Sequence, residues 1–186
     1  MALEREIKLR FDSADEARAQ VLALGAAPLH GRRLQEDCLL DTDDERLRRE
    51  RSVLRVRNEG GKSLLTFKGP VQPGTMKLRE EHETVVADGD ALLTILQQLG
   101  LHIWFRYEKY REEFCADDVV IAIDETPVGI FIELEGGEAA IHATAAALGR
   151  TPADYITDSY RFLFLQLRDA CGITGHDMVF AAPAGR

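Results

Sequence analysis

Glu4-Arg5-Glu6-Ile7-Lys8-Leu9-Arg10 is the stretch whose reading decides the fold. Side chains of a strand alternate between faces, so this segment puts Glu4, Glu6, Lys8 and Arg10 on one side and Arg5, Ile7 and Leu9 on the other. One such strand carries little weight, but its parity returns along the chain. Arg55 and Arg57 oppose Leu54 and Val56, and Lys68, in step with Thr66, opposes Leu65 and Phe67. Arg79, Glu81 and Glu83 share a face, as do Lys109 and Arg111. Asp124 falls in with Ala122 and Val120, and Glu133 and Glu135 oppose Ile132 and Leu134.

Cap and turn signals divide the rest. Ser13 followed by Glu16 is a capping box that opens a helix ending near Gly25. A strand over about 32–40 follows, and Glu59-Gly60-Gly61-Lys62 joins strands 53–58 and 63–68 as a hairpin. Strand 77–86 leads to a helix capped by Asp88 or Asp90 and closed by Gly100. Strands near 103–114, 119–125 and 129–134 and helices over 138–148 and 157–171 complete the set. Residues after Gly172 lack periodicity, so the reading is one domain over 1–172 and a loose tail over 173–186.

The plain alternative for the charged faces is that they meet water, as one side of most antiparallel sheets does. Against it, the amphipathic helices need apolar faces to cover, which turns the charged faces inward. About eight strands suffice to close a sheet, and closure removes exposed edges. The predicted fold is therefore α+β: an eight-stranded antiparallel β-barrel with a polar lumen and helices packed on the outside.

Composition narrows the function. At 186 residues, 45% hydrophobic and 30% charged, the chain suits one well-buried domain. The absence of any apolar run of about 18 residues, or of an apolar stretch before Glu4, predicts a cytoplasmic protein without membrane span or secretory signal. Cys38, Cys115 and Cys171 are scattered and odd in number, which argues against a disulfide framework or thiolate zinc site. The net charge of -9 opposes nucleic acid and anionic membranes as partners. Any bound anion must be captured by local cations or metal. A lumen dense in both signs is tolerable when paired, hydrated or filled, and it suits a polyphosphate together with a hard cation. Arginine and lysine neutralise phosphate oxygens, and clustered carboxylates hold Mg²⁺ or Mn²⁺.

These residues carry a resemblance. Glu4-Arg5-Glu6-Ile7-Lys8 resembles the E-x-E-x-K signature of the CYTH superfamily, the triphosphate tunnel metalloenzymes, which include class IV adenylate cyclases and thiamine triphosphatases. Further matches follow in family order: Arg55-x-Arg57, Leu65-Thr66-Phe67-Lys68-Gly69, Arg79-x-Glu81-x-Glu83, Lys109-x-Arg111, Asp124 and Glu133-x-Glu135. The resemblance implies an eight-stranded tunnel in which Lys8, Arg55, Arg57, Lys68, Lys109 and Arg111 bind a triphosphate, with Arg79 an addition. It implies that Asp124, Glu133 and Glu135 hold the principal metal and that Glu4 and Glu6 share it or hold a second. Glu6, Glu81 and Glu83 are the candidates for orienting the attacking water. The implied reaction is hydrolysis of an inorganic or organic triphosphate. The alternatives are a class IV adenylate cyclase and a non-catalytic polyphosphate-binding module. The partner expected is a triphosphate-containing small molecule, with a homodimer left open.

Other residues take plainer readings. Gly74 is followed by Thr75 and not by lysine, so the loop 69–74 is no Walker A loop. The five histidines show no ligand spacing, and the clustered charges of 41–51 read as a solvated short helix. Trp104 reads as core or rim packing, Ser159-Tyr160 as a helix cap with a packed aromatic, and Arg10 as a rim residue.

Overall fold

In a computed structural model that describes residues 2–181, eight strands close into a barrel in the order β1-β5-β4-β3-β2-β6-β7-β8. The strands are β1 (Ala2–Phe11), β2 (Ala27–Thr42), β3 (Val53–Glu59), β4 (Lys62–Lys68), β5 (Lys77–Val86), β6 (Leu101–Ala116), β7 (Val119–Thr126) and β8 (Gly129–Glu135). Every neighbouring pair is antiparallel. Five α-helices, α1 (Ala14–Ala23), α2 (Arg46–Arg49), α3 (Gly89–Gln98), α4 (Glu138–Ala147) and α5 (Tyr160–Leu167), and a short 3₁₀ helix, Pro152–Asp154, complete the described chain. Among the described residues no helix is long and apolar enough to cross a membrane.

Local chemistry sets the element ends. The Ser13 hydroxyl accepts the Glu16 N–H at 3.1 Å, Asp88 accepts from Ala91 at 2.9 Å, and Ser159 accepts from Phe162 at 3.2 Å, each satisfying an orphan donor of a helix first turn. In the β3–β4 hairpin, Gly60 and Gly61 both take positive φ, 52° and 80°, which a two-residue turn matching the strand twist requires.

Apolar burial lies outside the barrel wall. Ile7 and Leu9 of β1 join Ile121 and Ile123 of β7 and Ile132 and Leu134 of β8, covered by Ala17 and Val21 of α1 and Ile141 and Ala145 of α4. A second cluster fills one end of the barrel, where Leu39, Phe105, Tyr107 and Phe131 replace the charged residues at lumen-facing positions. Tyr160, Leu163 and Phe164 of α5 pack among them, so the last helix closes part of that end.

Residues 173–180 are not the loose tail expected of 173–186, of which 182–186 lie outside the described residues. β7 first pairs with β6 at Tyr110, which leaves the β6 backbone before it open on that side. The Met178 carbonyl accepts the Glu108 N–H at 2.8 Å, and the Met178 N–H donates to Arg106 at 3.0 Å. Met178 is fully buried in the second cluster, and Phe180 lies against Tyr110 with ring centroids 5.2 Å apart. The segment is a strap on a free strand edge, a role that carries no periodic signal.

Candidate functional site

The barrel encloses a cavity of about 500 Å³ lined by charged side chains from six of the eight strands. Cross-strand register explains the mixture: Glu4 faces Arg79, Glu6 faces Lys77 and Glu135, and Lys8 faces Glu133. On the strands that line the lumen, Lys8, Arg55, Arg57, Lys68, Lys77, Arg79, Lys109 and Arg111 stand against Glu4, Glu6, Glu81, Glu83, Glu113, Glu133 and Glu135, eight cations to seven carboxylates, with Asp37 and Asp124 buried beside them. Isolated charges at this depth cost several kcal/mol each, so the pairing is what permits them.

The pairs fall into four groups. Asp124, fully buried, receives Lys109 Nζ at 2.7 Å, Arg111 through Nε and Nη2 at 2.7 and 2.6 Å, and the Tyr160 hydroxyl at 2.6 Å. Lys8 joins Glu6 at 3.1 Å and Glu133 at 3.2 Å, while Lys77 also donates to Glu6 and Arg111 to Glu133. Lys68 bridges Glu4 at 2.8 Å and Glu81 at 2.7 Å. Across the lumen Asp37 accepts Arg57 at 2.9 and 3.1 Å, with Arg55 Nε 3.4 Å away. Arg55 also donates to Thr66 at 3.1 Å and Glu83 at 3.3 Å.

The electrostatics separate two kinds of carboxylate. Burial pushes Glu6 up, but Lys77 and Lys8 outweigh it and hold the group well below the usual carboxylate range. Glu133 is likewise held well below that range, since Arg111, Lys109 and Lys8 overcome its burial. Glu4 goes the other way, to about 7, because burial and the charge of Glu6 outweigh Lys68. Glu135 is also raised, by burial and then by Glu6. It makes no ion pair among the described residues. Among the cations, burial and repulsion from Arg111 push Lys109 down to about 8 despite Asp124 and Glu133.

The barrel thus brings together the residues singled out in the sequence, with one change of place. Asp124 sits among cations and its oxygens are taken by Lys109, Arg111 and Tyr160, so it organises the basic wall and does not line the cavity. Among the described residues, no three His, Cys, Asp or Glu side chains are arranged to hold a metal ion. Arg79 donates to the Gly69 carbonyl at 3.1 Å and lies on the cavity wall. Arg10 is exposed at the end of β1, near the ring of Phe131.

A model of the CYTH domain matches residues 2–160. This chain belongs to the CYTH family. A Methanocaldococcus jannaschii protein named provisionally as an adenylate cyclase is 31% identical over 134 residues, 72% of this chain and 76% of that protein. The solved structure of the Pyrococcus horikoshii protein PH1819 superposes with a TM-score of 0.72 at 26% identity, covering 88% of this chain and 98% of that one. The same share of this chain, and 95% of the other, superposes with a TM-score of 0.64 at 20% identity on a Hippeastrum protein named provisionally as an adenylyl cyclase and described as having a dominant triphosphatase activity. The triphosphate tunnel enzymes of the CYTH family are generally dependent on a divalent metal.

Several lumen residues of this CYTH domain escape a reading of the sequence. Lys77 is two residues before Arg79 and shares its parity, a signal that could have found it. Asp37 sits at the same parity as Gln35 and Leu39 on the second strand, its nearest neighbours on that face and both uncharged. Arg48 and Arg51 lie in the segment that reads as a solvated helix; that helix forms at 46–49 and Arg49 does pair with exposed Asp44, yet both arginines border the cavity.

Proposed function

We propose that this CYTH domain hydrolyses a triphosphate, inorganic or organic, with Mg²⁺ or Mn²⁺ as cofactor. The observation that carries the reading is the charge balance of the lumen. A triphosphate brings four or five negative charges into a tunnel where Lys8, Lys68, Lys77, Arg55, Arg57, Lys109 and Arg111 are already paired with carboxylates, so further positive charge must accompany it. The donor chemistry fits a hard divalent ion at the acidic end, where Glu4 and Glu135 are raised by burial and by the charge of Glu6.

In this reading Lys8, Lys109, Arg111, Arg57, Arg55, Lys68 and Arg79 bind the phosphate oxygens. Phosphoryl transfer depends on positioning and charge neutralisation, and the fixed ion pairs supply both before substrate arrives. Asp124 and Asp37 hold the guanidinium groups in place, and Tyr160 holds Asp124. Glu4, Glu6, Glu133 and Glu135, which do not converge on one point before an ion arrives, would hold the metal after turning toward it, and the metal would supply Lewis acidity and charge neutralisation when bound. Glu81 and Glu83 face the lumen beside Lys68 and Arg55 and orient the attacking water.

The name of the Methanocaldococcus relative favours a second reading, formation of cyclic AMP and diphosphate from ATP. Hydrolysis leads because it needs only the lumen, whereas cyclisation also needs the ribose held over the α-phosphorus. Incubation with Mg²⁺ or Mn²⁺ and tripolyphosphate, thiamine triphosphate or ATP decides between them: phosphate release supports hydrolysis, and cyclic AMP with diphosphate supports the cyclase. Tight binding of tripolyphosphate without either product would overturn both in favour of a binding module.

A further inference from the structure

The cavity does not end with the residues of the triphosphate lumen. Strand directions put Glu4, Glu83, Glu113 and Glu135 at one end of the barrel, and the end of β2 with the starts of β3 and β6 at the other. At that second end the lining is Arg48 and Arg51 beside β3, Trp104 on β6 and Arg161 in the first turn of α5. The tunnel therefore has an acidic end and a basic one.

The basic end is built on aromatic rings. The Arg48 guanidinium lies 4.5 Å from the centre of the Trp104 ring, and Arg161 lies 4.7 Å from Phe105 and 5.3 Å from Trp104. Arg48 is braced by Glu45 and by Asp41, whose carboxylate is 3.4 Å from its Nε. Arg51 and Arg161 make no ion pair among the described residues. Burial and repulsion from Arg48 and Arg168 hold Arg161 below the usual guanidinium range. Arg161 thus stands near Arg48 with no carboxylate paired to it, and an anion that bridges the two relieves their repulsion.

We propose that Arg48, Arg51 and Arg161, over Trp104, form a second anion subsite that takes a phosphate group lying beyond the bound triphosphate. The inference rests on the triphosphate reading of the lumen and narrows its substrate to one with a fourth phosphate. Trp104 already carries a guanidinium on its ring, which favours an anion here over a stacked base. The fourth phosphate has two chemical sources: a linear chain longer than three, or a phosphate on the far end of an organic triphosphate.

The test compares kcat/KM for tripolyphosphate, a longer linear polyphosphate, ATP and ATP carrying a 3'-phosphate, in the wild type and in Arg161→Gln and Arg51→Gln. One charge-assisted contact predicts a preference of about tenfold for a substrate with the extra phosphate over its parent. The preferred pair identifies the source, and the ratio falls to about one in Arg161→Gln. A wild-type ratio of about one for both pairs, or a ratio unchanged in both variants, overturns the subsite. Absence of turnover with every substrate overturns the lumen reading instead. The subsite is then tested by calorimetry with the longer polyphosphate, where affinity equal in wild type and Arg161→Gln overturns it.

Discussion

Two corners of the lumen use the same residue types to opposite ends. At one, Asp124 is fully buried and answered by Lys109, Arg111 and Tyr160. At the other, Glu135 lies across the strand from Glu6 and Glu4 is repelled by Glu6, with too little positive charge nearby. The first corner is complete as it stands and belongs to the fold. The second, in the function proposed, is completed by the divalent ion. A carboxylate in a charged site thus declares its role by whether its neighbours already satisfy it.

The comparison breaks most sharply at Asp124. Asp124→Ala leaves Lys109 and Arg111 buried with Glu133 as their remaining acid and should cost about 3–5 kcal/mol. For a chain of this size that is a fall in Tm of roughly 10 °C, read by calorimetry. Glu135→Gln is the counterpart. It removes a raised, repelled carboxylate, so Tm should hold or rise slightly, while turnover of the triphosphate should fall about 100-fold, near 2.7 kcal/mol of transition-state stabilisation. Normal turnover in that variant would remove Glu135 from the metal site. A stability loss as large as that of Asp124→Ala would erase the distinction between the corners.

Tyr160 sharpens the first corner. Its ring also lies 5.1 Å from Lys8 Nζ and 4.9 Å from Lys109 Nζ, so one side chain from α5 holds an acid and two bases. Tyr160→Phe keeps the ring and deletes the hydrogen bond to Asp124, a loss of about 1–2 kcal/mol. Because the bond positions Arg111 and Lys109 through Asp124, KM for tripolyphosphate should rise several-fold with kcat nearly kept. A fall in Tm with KM unchanged would make Tyr160 a packing residue only.

This division marks where the sequence stops being legible. Period-two alternation says which face a residue takes, and that alone assigns Glu4, Glu6, Lys8, Arg55, Arg57, Lys68, Arg79, Lys109 and Arg111 to the lumen side, where they lie. It does not say which charges meet between strands that are not neighbours, such as Arg111 of β6 and Glu133 of β8, which join over β7 between them. So Asp124 reads like its fellow acids Glu133 and Glu135, although Tyr160, 36 residues on, gives it a different office. The α2 segment misleads for the same reason: Arg48 forms surface pairs of the usual kind, and only the barrel end it abuts makes it a cavity residue. Met178 buries itself by occupying a strand edge that exists only once β7 has ended.

The smallest effect expected is one of pH, and it tests whether the complete corner is nonetheless tuned to receive an anion. Lys109 is driven down to about 8 by burial and by Arg111, with Asp124 and Glu133 opposing. Below that value its ammonium is charged; above it the group is neutral and attracts phosphate less. A bound polyanion favours the charged form, so affinity is full below about 8 and falls as pH rises through it, by at most tenfold per unit from this one group. Calorimetry with tripolyphosphate in the presence of a chelator, between about pH 7 and 9.5, removes metal from the comparison. The ligand titrates in the same range, which Lys109→Arg controls for, because a guanidinium keeps its charge throughout. Wild type should lose affinity more steeply than Lys109→Arg across the window, and parallel curves would show that Lys109 serves Asp124 alone.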